Sequence, residues 1–219
     1  MSLYPLIMPV AISLPTVALT ANAFDTANAT VYTFSGKAFG DAAADRLMVV
    51  GIGAANNSNA ISSVTIGGVS ATETVTSISV AAENRLGMYQ AIVPSGTTGD
   101  VVVTFAGAKV RCHIGVWRVT GVTAAASATD SDSAADPVAT SLNVPANGIC
   151  IGFCGIQVAS SSWTWAASLT EVFDQGDTEG YTSTGASGFF ETAVTPKAVS
   201  ADPASAVNAG GLTASWQPA

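Results

Sequence analysis

Charged residues are scarce in this 219-residue chain, in which Asp, Glu, Lys and Arg together account for 10% of the positions. Seven Lys and Arg stand against fifteen Asp and Glu, so the formal net charge is −8. Binding to nucleic-acid phosphates requires clustered basic side chains. The composition therefore argues against nucleic acid as a partner. It also indicates a surface that is either covered by other subunits or kept soluble by Ser, Thr and Asn.

Histidine and cysteine are also rare, with one His and three Cys. Cys150 and Cys154 lie four residues apart in a predicted strand, so their Cα atoms are roughly 13 Å apart, beyond the reach of a disulfide. We interpret the cysteines as buried small hydrophobic residues in a reducing compartment. Since His113 has no close pair of cysteines beside it, neither a zinc site nor another cofactor is predicted.

Basic residues are absent from the first 36 positions, whereas a secretory signal begins with a basic region. Ala21-Asn22-Ala23 nevertheless has the small-residue form of a signal-peptidase site, which keeps export open as an alternative. Pro5, Pro9 and Pro15 interrupt every apolar run. No run reaches the roughly 18 residues that a membrane span requires, so no membrane partner is predicted.

The N-terminal segment is instead predicted to be an extended docking arm over residues 1–27. It would lie on its own domain or on a neighbouring subunit. Its predicted docking side chains are apolar or aromatic, namely Leu3, Tyr4, Leu6, Ile7 and Met8.

Alternating apolar and polar residues dominate the rest of the chain, between clusters of Gly, Asn and Ser, and no stretch keeps a helical period over ten positions. The chain is therefore predicted to be all-β. Two series of strands flank an exposed Ala/Ser/Asp-rich connection at 122–137. The first series covers 31–36, 46–54, 63–68, 71–76, 85–93, 100–107 and 113–121; the second covers 138–144, 148–156, 169–175, 186–194, 198–202 and 211–217.

The two series share four landmarks at separations of 98 to 102 residues. These landmarks predict two pseudo-repeats, 28–121 and 138–219, that build an antiparallel β-sandwich or jelly roll. The paired landmarks are LMVVGIGA with ICIGFCGI, TETV with TEVF, GMYQAIVP with GFFETAVT, and Trp117 with Trp216.

Two arrangements of these repeats are open, either tandem immunoglobulin-like sandwiches or one larger jelly roll whose two sheets share a core. The segment GICIGFCGI at 148–156 is apolar on both faces, which favours the single larger sandwich. The charge is also unequal between the two parts. Residues 1–121 contain six acids and six bases, whereas residues 122–219 contain nine acids and one base, Lys197.

Several packing and turn motifs carry a resemblance to a known group of proteins. VTIGGVSAT, GMYQAIVPSGTTGDVVVTFAG and IGVWRVTGV occur in this order, and a second round ends in LTASWQP. In this order they resemble the duplicated β-sandwich, jelly-roll-like modules of tailed-bacteriophage virion surface proteins, which include capsid decoration proteins, head fibres and tail fibres. The resemblance covers residues 28–219.

The resemblance implies a non-enzymatic virion structural protein, with a capsid decoration or cement protein as the preferred interpretation. Its partners would be the major capsid protein or other virion subunits, and it would form a homo-oligomer, with a trimer expected. Assembly into the virion would occur in the host cytoplasm. The alternatives are a head or tail fibre or spike that binds host glycan, and a secreted bacterial adhesin or carbohydrate-binding module.

Aromatic residues supply the candidate glycan contacts. Trp163 and Trp165 are expected on the same side of an extended segment, where two indole rings stack on sugars or dock a partner. Tyr181 is the third candidate contact. The other interpretation of the two tryptophans is that they close one end of the sandwich.

The loop FDQGDTEGY supplies the metal candidates Asp174, Asp177 and Glu179. Calcium binds such oxygen-rich loops, but the spacing is not that of an EF-hand, and a solvated acidic loop is the preferred interpretation. Catalytic motifs are missing, because there is no Gly-x-Ser-x-Gly elbow and a Ser-His-Asp triad would have to use His113. His113 is therefore predicted to be structural and the protein not to be an enzyme.

Overall fold

The computed structural model describes residues 13–55, 57–80, 84–158, 162–166, 169–205 and 209–219. Within these ranges the chain folds into seventeen β-strands and no helix. The predicted all-β class is confirmed. The described residues therefore contain no helix that is long and apolar enough to cross a membrane.

The strands follow one another in two series, as the period-2 patterns predict. The first series is β1 (Thr16–Asp25), β2 (Ala29–Ala38), β3 (Leu47–Ala55), β4 (Ile61–Ile66), β5 (Val69–Ser70), β6 (Thr72–Val80), β7 (Asn84–Ile92), β8 (Thr98–Lys109) and β9 (Arg111–Thr120). The second series is β10 (Ala128–Ala135), β11 (Val138–Val144), β12 (Gly148–Ile156), β13 (Trp163–Trp165), β14 (Thr170–Gly176), β15 (Thr182–Phe190), β16 (Val194–Pro203) and β17 (Ala209–Trp216).

Each series builds one large and one small antiparallel sheet. The first large sheet has the order β1-β9-β3-β7-β6 and the first small sheet the order β2-β8-β4-β5. The second large sheet has the order β10-β17-β12-β15-β14 and the second small sheet the order β11-β16-β13. Both large sheets therefore place their strands in corresponding positions.

The sequence landmarks occupy matching places in these orders. LMVVGIGA lies in β3 and ICIGFCGI in β12, each at the centre of its large sheet. TETV and TEVF lie in the edge strands β6 and β14, and Trp117 and Trp216 lie in β9 and β17. The origin of the two halves by duplication stays a prediction.

Three apolar cores separate the four sheets. The first core lies between the first large and small sheets, and the third core lies between the second large and small sheets. The central core lies between the two large sheets, where Trp117, Phe153 and Trp216 meet. The preferred interpretation, a single sandwich with one shared core, is therefore corrected to two sandwiches packed through their large sheets.

This layering explains the strands that are apolar on both faces. All nine residues of β3 and of β12 are buried, because each strand lies at the centre of a sheet that is covered on both sides. Alternate residues of β3 point into the central core and the first core, as Val49 and Val50 show. At Gly51 a Cβ atom would lie 2.5 Å from the ring of Phe153, so glycine is required for the two large sheets to approach.

The segment 1–27, predicted to be an extended docking arm, contains a strand of the first large sheet. Residues 16–25 are strand β1, which pairs with β9 from Thr16 opposite Thr120 to Asp25 opposite Cys112. Ala21-Asn22-Ala23 therefore lies inside the first large sheet. The five predicted docking side chains lie outside the described residues.

The predicted exposed connection at 122–137 contains a strand of its own. β10 forms the edge of the second large sheet and pairs with β17. The carboxylates of Asp130 and Asp132 accept hydrogen bonds from the backbone N–H groups of Ser141 (2.6 Å) and Ala139 (2.9 Å) in β11. These contacts join the edge of the second large sheet to the edge of the second small sheet.

Candidate functional site

The two tryptophans proposed for glycan contact face the protein interior. Trp163 and Trp165 do lie on one side of β13, but that side packs into the third core, where only 5% and 9% of their surfaces are exposed. The indole N–H of Trp165 donates to the hydroxyl of Thr184 at 2.9 Å. The prediction that both rings stack on a sugar is therefore wrong. The two tryptophans instead close the second sandwich.

Tyr181 is also buried and cannot contact a glycan. Its ring meets the imidazole of His113 edge to face, with ring centroids 4.9 Å apart. Its hydroxyl fits against the backbone of Gly53 and Gly155, where a Cβ atom would lie 2.4 and 2.1 Å from the oxygen. Tyr181 thus contacts the central strand of both large sheets, and its burial raises the pKa of its phenol.

The three acidic metal candidates have separate roles. The carboxylate of Asp174 accepts the backbone N–H of Trp163 at 2.8 Å, Asp177 is buried, and the side chain of Glu179 is 56% exposed. No group of three His, Cys, Asp or Glu side chains that could hold a metal ion occurs among the residues that the structure describes.

Asp177 belongs to a buried polar cluster that also contains Arg111, His113 and Ser183, which we call the junction cluster. The Nε2 atom of His113 lies 3.0 Å from Oδ2 of Asp177, and its Nδ1 atom lies 3.1 Å from Oγ of Ser183. Arg111 donates from Nη1 to Oδ1 of Asp177 at 3.1 Å. Two of these residues come from β9 in the first sandwich and two from the second sandwich, so the cluster connects the two halves.

The backbone around Asp177 holds its carboxylate in place. Oδ1 accepts the N–H groups of Glu179 (2.9 Å) and Tyr181 (3.0 Å), and the N–H of Asp177 donates to the carbonyl of Tyr181 (2.9 Å). Burial alone would raise the pKa of Asp177. The hydrogen bonds from His113 and the two amides, together with the charge of Arg111, outweigh burial and lower it.

Burial has the opposite effect on the imidazole, because it disfavours the charged form of a base. The pKa of His113 is therefore lowered, with a further contribution from Arg111, although Asp177 opposes the shift. The ring is fully buried and is stacked on Phe24 with centroids 5.1 Å apart. His113 at neutral pH is a neutral member of the cluster.

Ser183, His113 and Asp177 are the residue types of a hydrolytic triad. Unlike the residues of a working triad, they are not accessible to a substrate. The surfaces of Ser183 and His113 are 0% exposed, and that of Asp177 is 3% exposed. A nucleophile must reach the reacting atom of its substrate. This Ser-His-Asp group is therefore a structural connection, as the sequence predicts for His113.

An open depression of about 500 Å³ lies at one end of the first sandwich, away from the junction cluster. Its walls are the β4–β5 turn, the chain after β7 and the start of β8, and Asp100 is the ionisable residue among them. Oδ1 of Asp100 accepts the backbone N–H of Gly36 at 2.8 Å. The depression is thus lined by no histidine, cysteine or lysine that could act as a nucleophile or a base.

Two exposed apolar residues line depressions on the surface, Val69 at 41% and Ile92 at 39% exposure. Val69 lines the depression itself, and Ile92 lines a smaller one of about 170 Å³ with Leu47, Thr72 and Ala124. Sequence reasoning missed these side chains, because an apolar residue at the end of a strand gives no periodic signal of its exposure.

Comparison with protein-family models and with curated protein sequences gives no match to this chain.

Proposed function

We propose that this protein is a non-enzymatic structural protein of a tailed-phage virion, bound to the outer shell as a capsid decoration protein. The observation that carries the proposal is the placement of the reactive side chains. His113, Asp177 and Ser183 are used inside the molecule to join its halves, so the protein offers rigid surface and no reactive group at that cluster. The motif resemblance supplies the virion as the setting.

The fold suits a protein that stabilises a shell by contact. Two sandwiches packed through a buried central core form a stiff body, since packed interiors have low compressibility. Binding would then depend on burial of apolar surface, supplied by the uncharged sequence of residues 1–12. The partners in this proposal are the major capsid protein and further copies of the chain, with a trimer as the expected homo-oligomer.

The glycan-binding alternatives receive less support than decoration. Their candidate aromatic contacts, Trp163, Trp165 and Tyr181, are buried, and the secreted alternative also requires a genuine export signal. We therefore do not favour a receptor-binding fibre or a carbohydrate-binding module over decoration.

The copy number of the protein in purified particles tests the proposal. Mass spectrometry should find it at a level of the same order as the major shell protein. A level far below that of the shell protein would assign it to a fibre or spike instead, and absence from particles would refute the virion role.

A pair of deletions tests the docking arm. Removal of residues 2–12 leaves β1 intact, so we expect a folded protein that no longer binds particles. Removal of residues 2–24 also deletes most of β1 and should destabilise the first large sheet. The length-matched control replaces Leu3, Tyr4, Leu6, Ile7 and Met8 by Ser. Undiminished particle binding by both the shorter deletion and the Ser variant would show that the arm does not dock.

A further inference from the structure

The junction cluster balances its charges only while its histidine is neutral. Arg111 and Asp177 form a pair whose charges cancel, with 12% and 0% of their side chains exposed. Because a carboxylate only accepts hydrogen bonds, Nε2 of His113 must donate to Asp177. Nδ1 then accepts the hydroxyl proton of Ser183. A second proton on the imidazole would add a positive charge, and no further buried anion lies beside the ring among the described residues.

The surroundings of His113 reinforce this imbalance. The ionisable groups that act on the ring itself are Asp177 and Arg111. Those around them are Cys112, Glu179, Tyr181 and Asp25, with Lys109 next to Cys112 and Cys154 next to Tyr181. Burial raises the pKa of both Cys112 and Tyr181, so neither supplies a negative charge at neutral or acidic pH. Glu179 reaches only Arg111, at 4.0 Å, and Asp25 lies opposite Cys112 at the exposed end of β1.

The cluster is also close to the surface, at Phe24 and at the Arg111 side chain. Phe24 at the end of β1 covers the imidazole and is itself 44% exposed. Below the ring, Tyr181 fits against Gly53 of β3 and Gly155 of β12. A small displacement of the end of β1 and of the 177–183 segment would hydrate His113 without opening the central core.

We propose that the junction cluster is an acid-sensitive latch: protonation of His113 releases the 177–183 segment from β9, while each sandwich keeps its own core. The latch is a property of the fold and holds whether or not the protein decorates a capsid. Three hydrogen bonds cross from β9 to the second sandwich: two of them use the imidazole of His113, and the third joins Arg111 to Asp177.

The direction of the pH effect follows from the pKa shifts. His113 has a pKa below its ordinary value of 6.5, so its contribution to stability is complete above pH 6.5 and declines as the pH falls toward the lowered value. Asp177 also has a lowered pKa, and its contribution is lost only at much lower pH, as the carboxylate is protonated. Mild acid therefore acts on the latch through His113.

Since the chain has a single histidine, NMR can follow its imidazole without assignment of other residues. We expect the ring to remain neutral at pH 6.5. Its protonation at lower pH should coincide with faster amide hydrogen exchange in residues 177–185 and 111–116, after correction for the intrinsic pH dependence. Protonation at or above pH 6.5 without any change in exchange would overturn the proposal.

The matched variant is His113→Gln, which keeps a donor toward Asp177 and cannot be protonated. Between pH 6.5 and 5.5 the folding equilibrium of the wild-type protein should fall by up to about fivefold more than that of the variant. This difference corresponds to a melting temperature lowered by roughly 3 °C. Equal acid sensitivity of both proteins would refute the latch. The NMR titration of the wild-type protein decides the question if the variant does not fold.

Discussion

The large sheets of the two sandwiches share a strand order, but the sandwiches differ in how they use buried cations. In the first, buried cations donate to free carbonyls: Arg46 binds those of Val93, Gly40 and Ser95, and Lys109 binds that of Asn57. Carboxylates accept backbone N–H groups in both sandwiches, as Asp100 does in the first and Asp130 and Asp177 do in the second. The acidic excess of the second half thus has an internal role, and a charge difference in the sequence does not by itself define a binding face.

The largest effects should come from the two tryptophans at corresponding positions of the large sheets. Trp117 and Trp216 are both fully buried in the central core. Trp117→Ala and Trp216→Ala should each lower the free energy of unfolding by about 3–5 kcal/mol through lost burial and a cavity. Chemical denaturation measures this loss. A loss below about 1 kcal/mol in either variant would contradict the central core.

Phenylalanine at the same two positions sharpens the comparison. The indole N–H of Trp216 donates to Oε1 of Gln90 at 3.1 Å, whereas that of Trp117 is buried without a partner. Trp216→Phe should therefore cost about 1 kcal/mol more than Trp117→Phe, because it leaves the Gln90 oxygen without its donor. Equal costs would show that the hydrogen bond to Gln90 contributes nothing net.

The buried cation of the first sandwich should have an effect at the lower end of the range expected for the Trp→Ala variants. Arg46→Met keeps much of the side-chain volume but removes the donors to three carbonyls, so we expect a loss of about 3 kcal/mol in the free energy of unfolding. The control from the second half is Lys197→Met, since the Lys197 amine lies over the ring of Phe190 near the surface. That variant should change stability by no more than about 0.5 kcal/mol. Equal losses would remove the distinction between the halves.

The smallest effects should come from the carboxylates of β10. Asp130→Ala and Asp132→Ala each remove an acceptor for a β11 amide, and each should cost about 1 kcal/mol. The Asn variants retain an acceptor oxygen and should cost less. Asp136→Ala, at an exposed position just after β10, is the control. If the control were as destabilising as the other two, the carboxylates would act through net charge rather than through the edge of β11.

The strands of the large-sheet centres could be predicted well, and those at the edges could not. β3 and β12 can be recognised in the sequence as nine-residue apolar runs, because both of their faces are covered. β10 has no such run, since its alternate Asp side chains bond to backbone amides instead of packing in a core. β1 falls within the predicted docking arm for a similar reason. It is an edge strand that is only half-buried, so its alternation of apolar and polar residues is weak.

The candidate sites show the same limit. Period-2 alternation places Trp163 and Trp165 on one side of β13, but it does not say whether that side faces a core or solvent. His113 and Asp177 are 64 residues apart, and no local spacing indicates that they meet. Their contact follows from the packing of one sandwich on the other, which sequence patterning does not encode locally.

Gly121 contacts three segments that are distant from it in the sequence. Its carbonyl accepts the backbone N–H of Ala219 at 3.0 Å, its N–H donates to Asp45, and the backbone of Pro15 lies against its Cα. The start of β1, the passage between the sandwiches and the end of β17 are thus neighbours in space. The strands from β1 to β17 therefore begin and end near the same point, so they could be connected in circularly permuted order, with either sandwich first, without any strand changing its place.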